Sequence, residues 1–110
     1  MNEWAQFIDQ YALKEKNVVW TFFENRFVKS FDSDEPIMDA VLFMNRHLCN
    51  FRLKGCVFYA VYEPTLKEMG LLSLSRVEKI FYLKRRGALD PSIWDKFLVH
   101  KVERHGYDNE

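Results

Sequence analysis

Apolar residues recur along this chain at helical spacing, divided by a sparse set of glycines and prolines. Trp4, Phe7, Ile8 and Tyr11 fall at i, i+3, i+4 and i+7, the spacing that gathers side chains on one helical face. Trp20, Phe23 and Phe27 continue the pattern, as do Val77, Ile80 and Phe81, and then Ile93 and Phe97. Pro36, Pro64 and Pro91 each follow an acid (Glu35, Glu63, Asp90). An acid before proline suits an N-cap and first helical position, because the carboxylate accepts from free N–H groups and proline has none to leave unmade. Gly70, Gly87 and Gly106 each close an amphipathic stretch, where a left-handed residue ends a helix. Ser75 and Glu78 have the spacing of a capping box. These marks predict an all-α chain with helices over 3–14, 18–31, 36–50, 56–69, 75–86 and 91–105. In Cys56-Val-Phe-Tyr-Ala-Val-Tyr62 a β-strand competes with the helix, and Pro64 interrupts the helical pattern just beyond it.

The helices pair at a period near 37 residues. Trp20, Phe23 and Val28 align with Phe58, Val61 and Leu66 and with Trp94, Phe97 and Val102. Upstream, Trp4, Phe7 and Tyr11 align with Val41, Met44 and Leu48 and with Val77, Ile80 and Lys84. Three helical hairpins at such a period describe a short α-solenoid; an irregular helical bundle is the alternative. In the third unit, residues 74–106, Gly87, Asp90, Ile93 and Trp94 form a turn followed by a helix that opens on an Ile-Trp pair. This unit resembles the heptatricopeptide and octotricopeptide repeats of organellar RNA-associated proteins. The resemblance implies membership of a mitochondrial assembly, with the mitochondrial matrix as location.

Composition adds a partner to this picture. The 110 residues make one domain, 1–110, able to bury roughly two thirds of its unfolded surface. Hydrophobic residues at 48% and charged residues at 29% exclude disorder. Ten Phe, five Tyr and three Trp exceed what so small a core hides fully, so aromatic surface is expected to meet a protein partner. The candidates are Trp4, Tyr11, Phe31, Tyr59, Tyr62 and Tyr82. The plainer reading is a core of large side chains whose polar tips lie at its edge. Net charge is zero, which gives no overall bias toward nucleic acid or membrane. No apolar run is long enough to span a membrane. The polar, acidic N-terminus carries neither secretion signal nor presequence, and a reducing intracellular compartment is expected. Cys49 and Cys56, spaced C-x6-C, match no common metal pattern and read as buried thiols.

Little in the chain suggests catalysis. Lys84, Arg85 and Arg86 read as the basic last turn of a helix. Joined by Arg76, Lys79, Lys96, Lys101 and Arg104, they could form a basic edge that contacts RNA phosphates, with Tyr82 stacking on a base. No phosphate-cradling glycine motif is present. His47 and Cys49 lack further ligands at metal spacing, and His100 and His105 are not i, i+4. A Cys56–His47 nucleophilic pair has no third, orienting group. Asp32-Ser-Asp-Glu35 lacks the pattern of an EF-hand loop. The sequence therefore leads to a protein that is not an enzyme and needs no cofactor or metal: a structural or accessory subunit docking on a larger protein or ribonucleoprotein assembly. The alternatives are an RNA-binding helical-repeat module using the basic edge of residues 76–104, or a small viral or phage protein that captures a host factor.

Overall fold

A computed structural model of the chain describes residues 17–84 and 101–106. In chain order they form β1 (Val18–Phe23), β2 (Arg26–Asp32), α1 (Pro36–His47), β3 (Cys56–Tyr62), α2 (Leu66–Leu74), β4 (Lys79–Lys84) and β5 (Glu103–Gly106). The strands make one five-stranded sheet in the order β2-β1-β3-β4-β5. β1 runs antiparallel to both β2 and β3, whereas β3, β4 and β5 run parallel.

The β1–β2 hairpin closes through Glu24 and Asn25, both at positive φ (50° and 67°), as a two-residue turn of the type that matches strand twist requires. A register shift between Thr21 and Phe22 bends the ladder. Thr21, fully buried, donates from Oγ1 to the Lys29 carbonyl at 2.8 Å and accepts from the Lys29 N–H at 3.2 Å. Its hydroxyl is thus satisfied where the ladder is irregular.

Both faces of the sheet are apolar. Val19, Cys56, Phe58, Ala60 and Ile80 point to one face and pack with Ile37, Ala40, Val41 and Met44 of α1 and with Met69 and Leu72 of α2. Val18, Trp20, Phe22, Val61 and Leu83 form a second buried cluster on the other face. Burial on two sides explains the near-continuous hydrophobic runs VVWTFF and CVFYAVY. Rings cross the second face in sequence: Phe22 meets Phe27 and Tyr59 edge-on, Tyr59 stacks on Phe81 at 4.8 Å, and Phe81 stacks on His105 at 5.0 Å.

This architecture corrects the all-α expectation. Residues 18–31 form the hairpin, 56–62 are strand, and 79–84 are strand where a helix over 75–86 was expected. Only the helix over 36–50 is found nearly in place, as α1. The helix expected over 3–14, the Asp90-Pro91 start and the Gly87 stop lie outside the described residues, as do Trp94 and most of 91–105. Gly70 lies within α2 rather than ending a helix, and Ser75 is the C-cap of α2 rather than the start of a capping box. The three-hairpin repeat fails as well. Trp20 and Phe58 lie on adjacent strands and face opposite sides of the sheet, because Trp20 pairs with Tyr59 and Phe58 with Thr21.

Candidate functional site

Strand direction decides where chemistry can gather. β2, β3, β4 and β5 all run the same way, so Asp32, Tyr62, Lys84 and Gly106 end at one edge of the sheet. α1 starts there, three residues beyond β2, and α2 starts there after Glu63-Pro64-Thr65. In open α/β sheets this carboxyl edge is the usual ligand site. The two helix N-termini, each carrying positive partial charge, meet through Lys67, whose Nζ lies 3.5 Å from Glu35 Oε1. Beside this ion pair a shallow groove of about 320 Å³ runs between the helices, lined among others by Met38, Glu68 and Leu71.

The start of α2 is held by its own side chains. Thr65 Oγ1 accepts from the Glu68 N–H at 3.2 Å, and Glu68 Oε1 accepts from the Thr65 N–H at 2.8 Å. This reciprocal capping box satisfies two backbone donors at once. The start of α1 is built differently. Glu35 is the N-cap but makes no side-chain cap bond, Pro36 takes the first position, and the Ser33 hydroxyl donates to Asp39 Oδ2. The Glu63 N–H donates to the Lys84 carbonyl at 2.7 Å, extending the β3–β4 pairing to the edge. Lys84 Nζ lies 5.6 Å from the centre of the Tyr62 ring, a cation–π contact at the same edge.

A second feature lies at the opposite edge. There the loop before β3 and the loop after α2 border a groove of about 560 Å³ lined, among the described residues, by Arg52, Lys54, Gly55, Arg76 and Glu78. Gly55 (φ 86°) contributes no side chain, and an added Cβ would lie 3.4 Å from Phe23 Cε1. Arg76 is also left-handed, at φ 62°, a rare conformation for a long side chain that turns the chain sharply between α2 and β4. Among the described lining residues, three cations stand against one acid, a local excess of positive charge. The seven residues of β3 separate the two edges, about 20 Å at 3.3 Å per residue.

The residues singled out from sequence scatter over this frame. Lys84 ends β4 at the carboxyl edge, and Lys101 is exposed just before β5. Arg76 lines the opposite groove, and Lys79 pairs with Glu103 at 3.7 Å. The hydrogen bond from His105 and the charge of Lys79 hold the Glu103 carboxyl below its ordinary range. Among the aromatic candidates, Tyr82 is buried (6% exposed), while Phe31, Tyr59 and Tyr62 are half-buried. Phe31 packs on Phe43 with Lys29 Nζ near both rings. Trp4, Tyr11, Arg85, Arg86 and Lys96 lie outside the described residues. His47 closes α1 and stacks on Phe43, away from the helix start. Cys49 is exposed, not buried as expected, because α1 ends just before it in a left-handed turn. Cys56 is buried, and burial, with the Glu78 charge, pushes its thiol up to about 12. The residues that build the carboxyl-edge site, Glu35, Thr65, Lys67 and Glu68, went unnoticed as a group. Thr65-x-x-Glu68 ahead of an apolar run was a readable capping-box signal.

Comparison with known proteins places this frame. No family model matches the chain, and no curated protein matches it by sequence. Solved structures do match. A structure from studies of A-to-I editing by tRNA:A34 deaminases superposes with a TM-score of 0.75 at 13% identity, covering 96% of this chain and 99% of its own. The guanine deaminase of Nitrosomonas europaea gives 0.65 at 13% identity, covering 92% of this chain and 71% of its own. The dCMP deaminase of cyanophage S-TIM5, in complex with dCMP and dUMP, gives 0.62 at 10% identity, covering 94% and 98%. At such identities the likeness establishes the fold, an α/β deaminase-like fold. It overturns the resemblance to heptatricopeptide and octotricopeptide repeats, and with it the accessory-subunit and helical-repeat roles; the host-capture role, drawn from a short aromatic-rich chain, is not supported either. The expectation that the chain is not an enzyme loses its ground too, because all three neighbours are deaminases. Among the described residues no helix is long and apolar enough to cross a membrane.

Zinc deaminases hold their metal with a His or Cys and the two thiolates of P-C-x-x-C, and a Glu of H-x-E moves protons. The start of α2 in this chain reads Pro64-Thr65-Leu66-Lys67-Glu68, without cysteine. The start of α1 reads Glu35-Pro36-Ile37, without histidine, and Ile37 is buried. Among the described residues no three His, Cys, Asp or Glu gather as a metal would need. The residues present do not fit the deaminase zinc; what the chain keeps is the deaminase fold, with its helix starts set at the carboxyl edge of the sheet.

Proposed function

We propose that this chain binds RNA on its deaminase-like frame, its own residues recognising the polynucleotide: backbone phosphates in the groove of Arg52, Lys54 and Arg76, and a base at the carboxyl edge beside Glu35, Lys67 and Glu68. The observation that carries this reading is the pairing of two surfaces about 20 Å apart on one deaminase-like frame. That span is about six base steps at 3.4 Å, so a free base or mononucleotide reaches one surface and a polynucleotide reaches both. Support also comes from the near end-to-end likeness to the tRNA:A34 deaminase structure. Cationic grooves bind nucleic acid by releasing condensed counterions, which makes affinity depend steeply on salt.

The test is a competition measured by fluorescence anisotropy, with a labelled tRNA as probe and dCMP, guanine and unlabelled tRNA as competitors at two salt concentrations. The reading expects displacement by tRNA alone and weaker binding at higher salt. Displacement of the probe by dCMP at comparable concentration would replace it with a mononucleotide site, and absence of tRNA binding would end it.

A further inference from the structure

We infer that the joint between the two helix starts is held in this protein by side chains alone, so that the chain folds without zinc, the metal of zinc deaminases, and retains none at that joint. The inference stands on the fold and the donor set and does not depend on RNA binding.

Three features carry it. The first is the engagement of the donors that are present. Glu68 Oε1 is turned back onto the Thr65 N–H and the Thr65 hydroxyl onto the Glu68 N–H, so a metal could recruit either only by uncapping α2. The second is charge. Lys67 Nζ lies 3.5 Å from Glu35 Oε1 across the joint in an exposed ion pair, so the carboxylate that the capping box does not engage already has a cation beside it. The third is the distribution of the soft ligands. Cys56 starts β3 at the opposite edge of the sheet, and its burial keeps the sulfur protonated, whereas zinc takes a thiolate. His47 and Cys49 lie at the far end of α1, about 17 Å along its axis from Pro36. His105 is turned to Glu103 on β5.

Where a metal would otherwise tie α2 to α1, the capping box thus fixes the first turn of α2, and the Lys67–Glu35 pair spans the gap.

The test uses the full chain, expressed in zinc-supplemented medium and purified without chelator. Metal content by plasma mass spectrometry and the thermal midpoint with and without EDTA are the readouts. The inference expects well under one zinc per chain and a midpoint unmoved by EDTA. One zinc per chain that Glu68→Ala removes would overturn it. One zinc per chain that Glu68→Ala leaves in place, with a midpoint that EDTA lowers, would overturn it as well. The triple variant Glu35→His, Thr65→Cys, Glu68→Cys rebuilds a His/Cys/Cys set and is expected to take up one zinc and lose midpoint on EDTA. If that variant folds, by circular dichroism, yet binds no zinc, the joint is not where the metal of the fold resides, and the inference fails.

Discussion

Removing the three cations of the groove at the amino edge of β3 tests the proposed function with a magnitude. Arg52 and Lys54 are exposed, Arg76 is half-buried, and among the described residues none of the three is placed in an ion pair within the groove. Arg52→Ala, Lys54→Ala and Arg76→Ala together should therefore leave the fold intact; alanine at Arg76 meets the same left-handed backbone as the arginine it replaces. If each cation neutralises one phosphate, the slope of log affinity against log salt should flatten by about 0.7 per contact on a single strand, or about 2 for the three. Between 50 and 200 mM salt the unchanged protein then loses about 20-fold more affinity than the triple variant. The assay is anisotropy with a labelled tRNA across a salt series, with the thermal midpoint of both proteins measured beside it. Lys84→Ala, at the other edge, should flatten the slope by about 0.7 if the RNA spans the sheet. Parallel slopes for the unchanged and triple-variant proteins, with equal midpoints, would refute the groove as a phosphate contact.

Three further predictions concern the fold and its joint. Thr65→Ala and Glu68→Ala should each cost about 1 kcal/mol in urea unfolding, because each removes one of the two hydrogen bonds of the reciprocal box; no loss in either variant would mean that the box is not formed. Phe58→Ala, fully buried between the sheet and the helices, should cost about 3–5 kcal/mol, whereas Phe51→Ala, 68% exposed, should stay within about 0.5 kcal/mol; similar costs would contradict the assignment of faces. At pH 8 a maleimide should label Cys49 in the native protein and leave Cys56 unmodified, since the Cys56 thiol, pushed up to about 12, carries almost no thiolate there; peptide mapping that finds Cys56 labelled first would count against its burial.

Burial on two sides decided which elements the sequence made legible and which it hid. A strand covered on one face alternates with period two and declares itself. β1 and β3 are covered on both, so VVWTFF and CVFYAVY read as apolar apart from Thr21, and a helical template finds matches in them. Trp20, Phe23 and Phe27 matched i, i+3 and i+7 only because a two-residue turn happened to bring the hairpin partner into count. That turn, Glu24-Asn25, lacks the glycine that usually marks it. α1 was found because its helix buries one stripe, Ile37, Ala40, Val41 and Met44, and begins at a proline. The site was hidden for a chemical reason. A zinc deaminase sequence announces itself through thiolates and histidine at ligand spacing, and neither helix start of this chain carries one. A capping box uses the same i, i+3 relation as the two cysteines of C-x-x-C. The geometry of a helix's first turn brings residues N-cap and N3 together whether they bind a metal or each other's backbone. The fold can therefore keep its frame while the chemistry at the joint changes, and the frame is what the structural likeness reports.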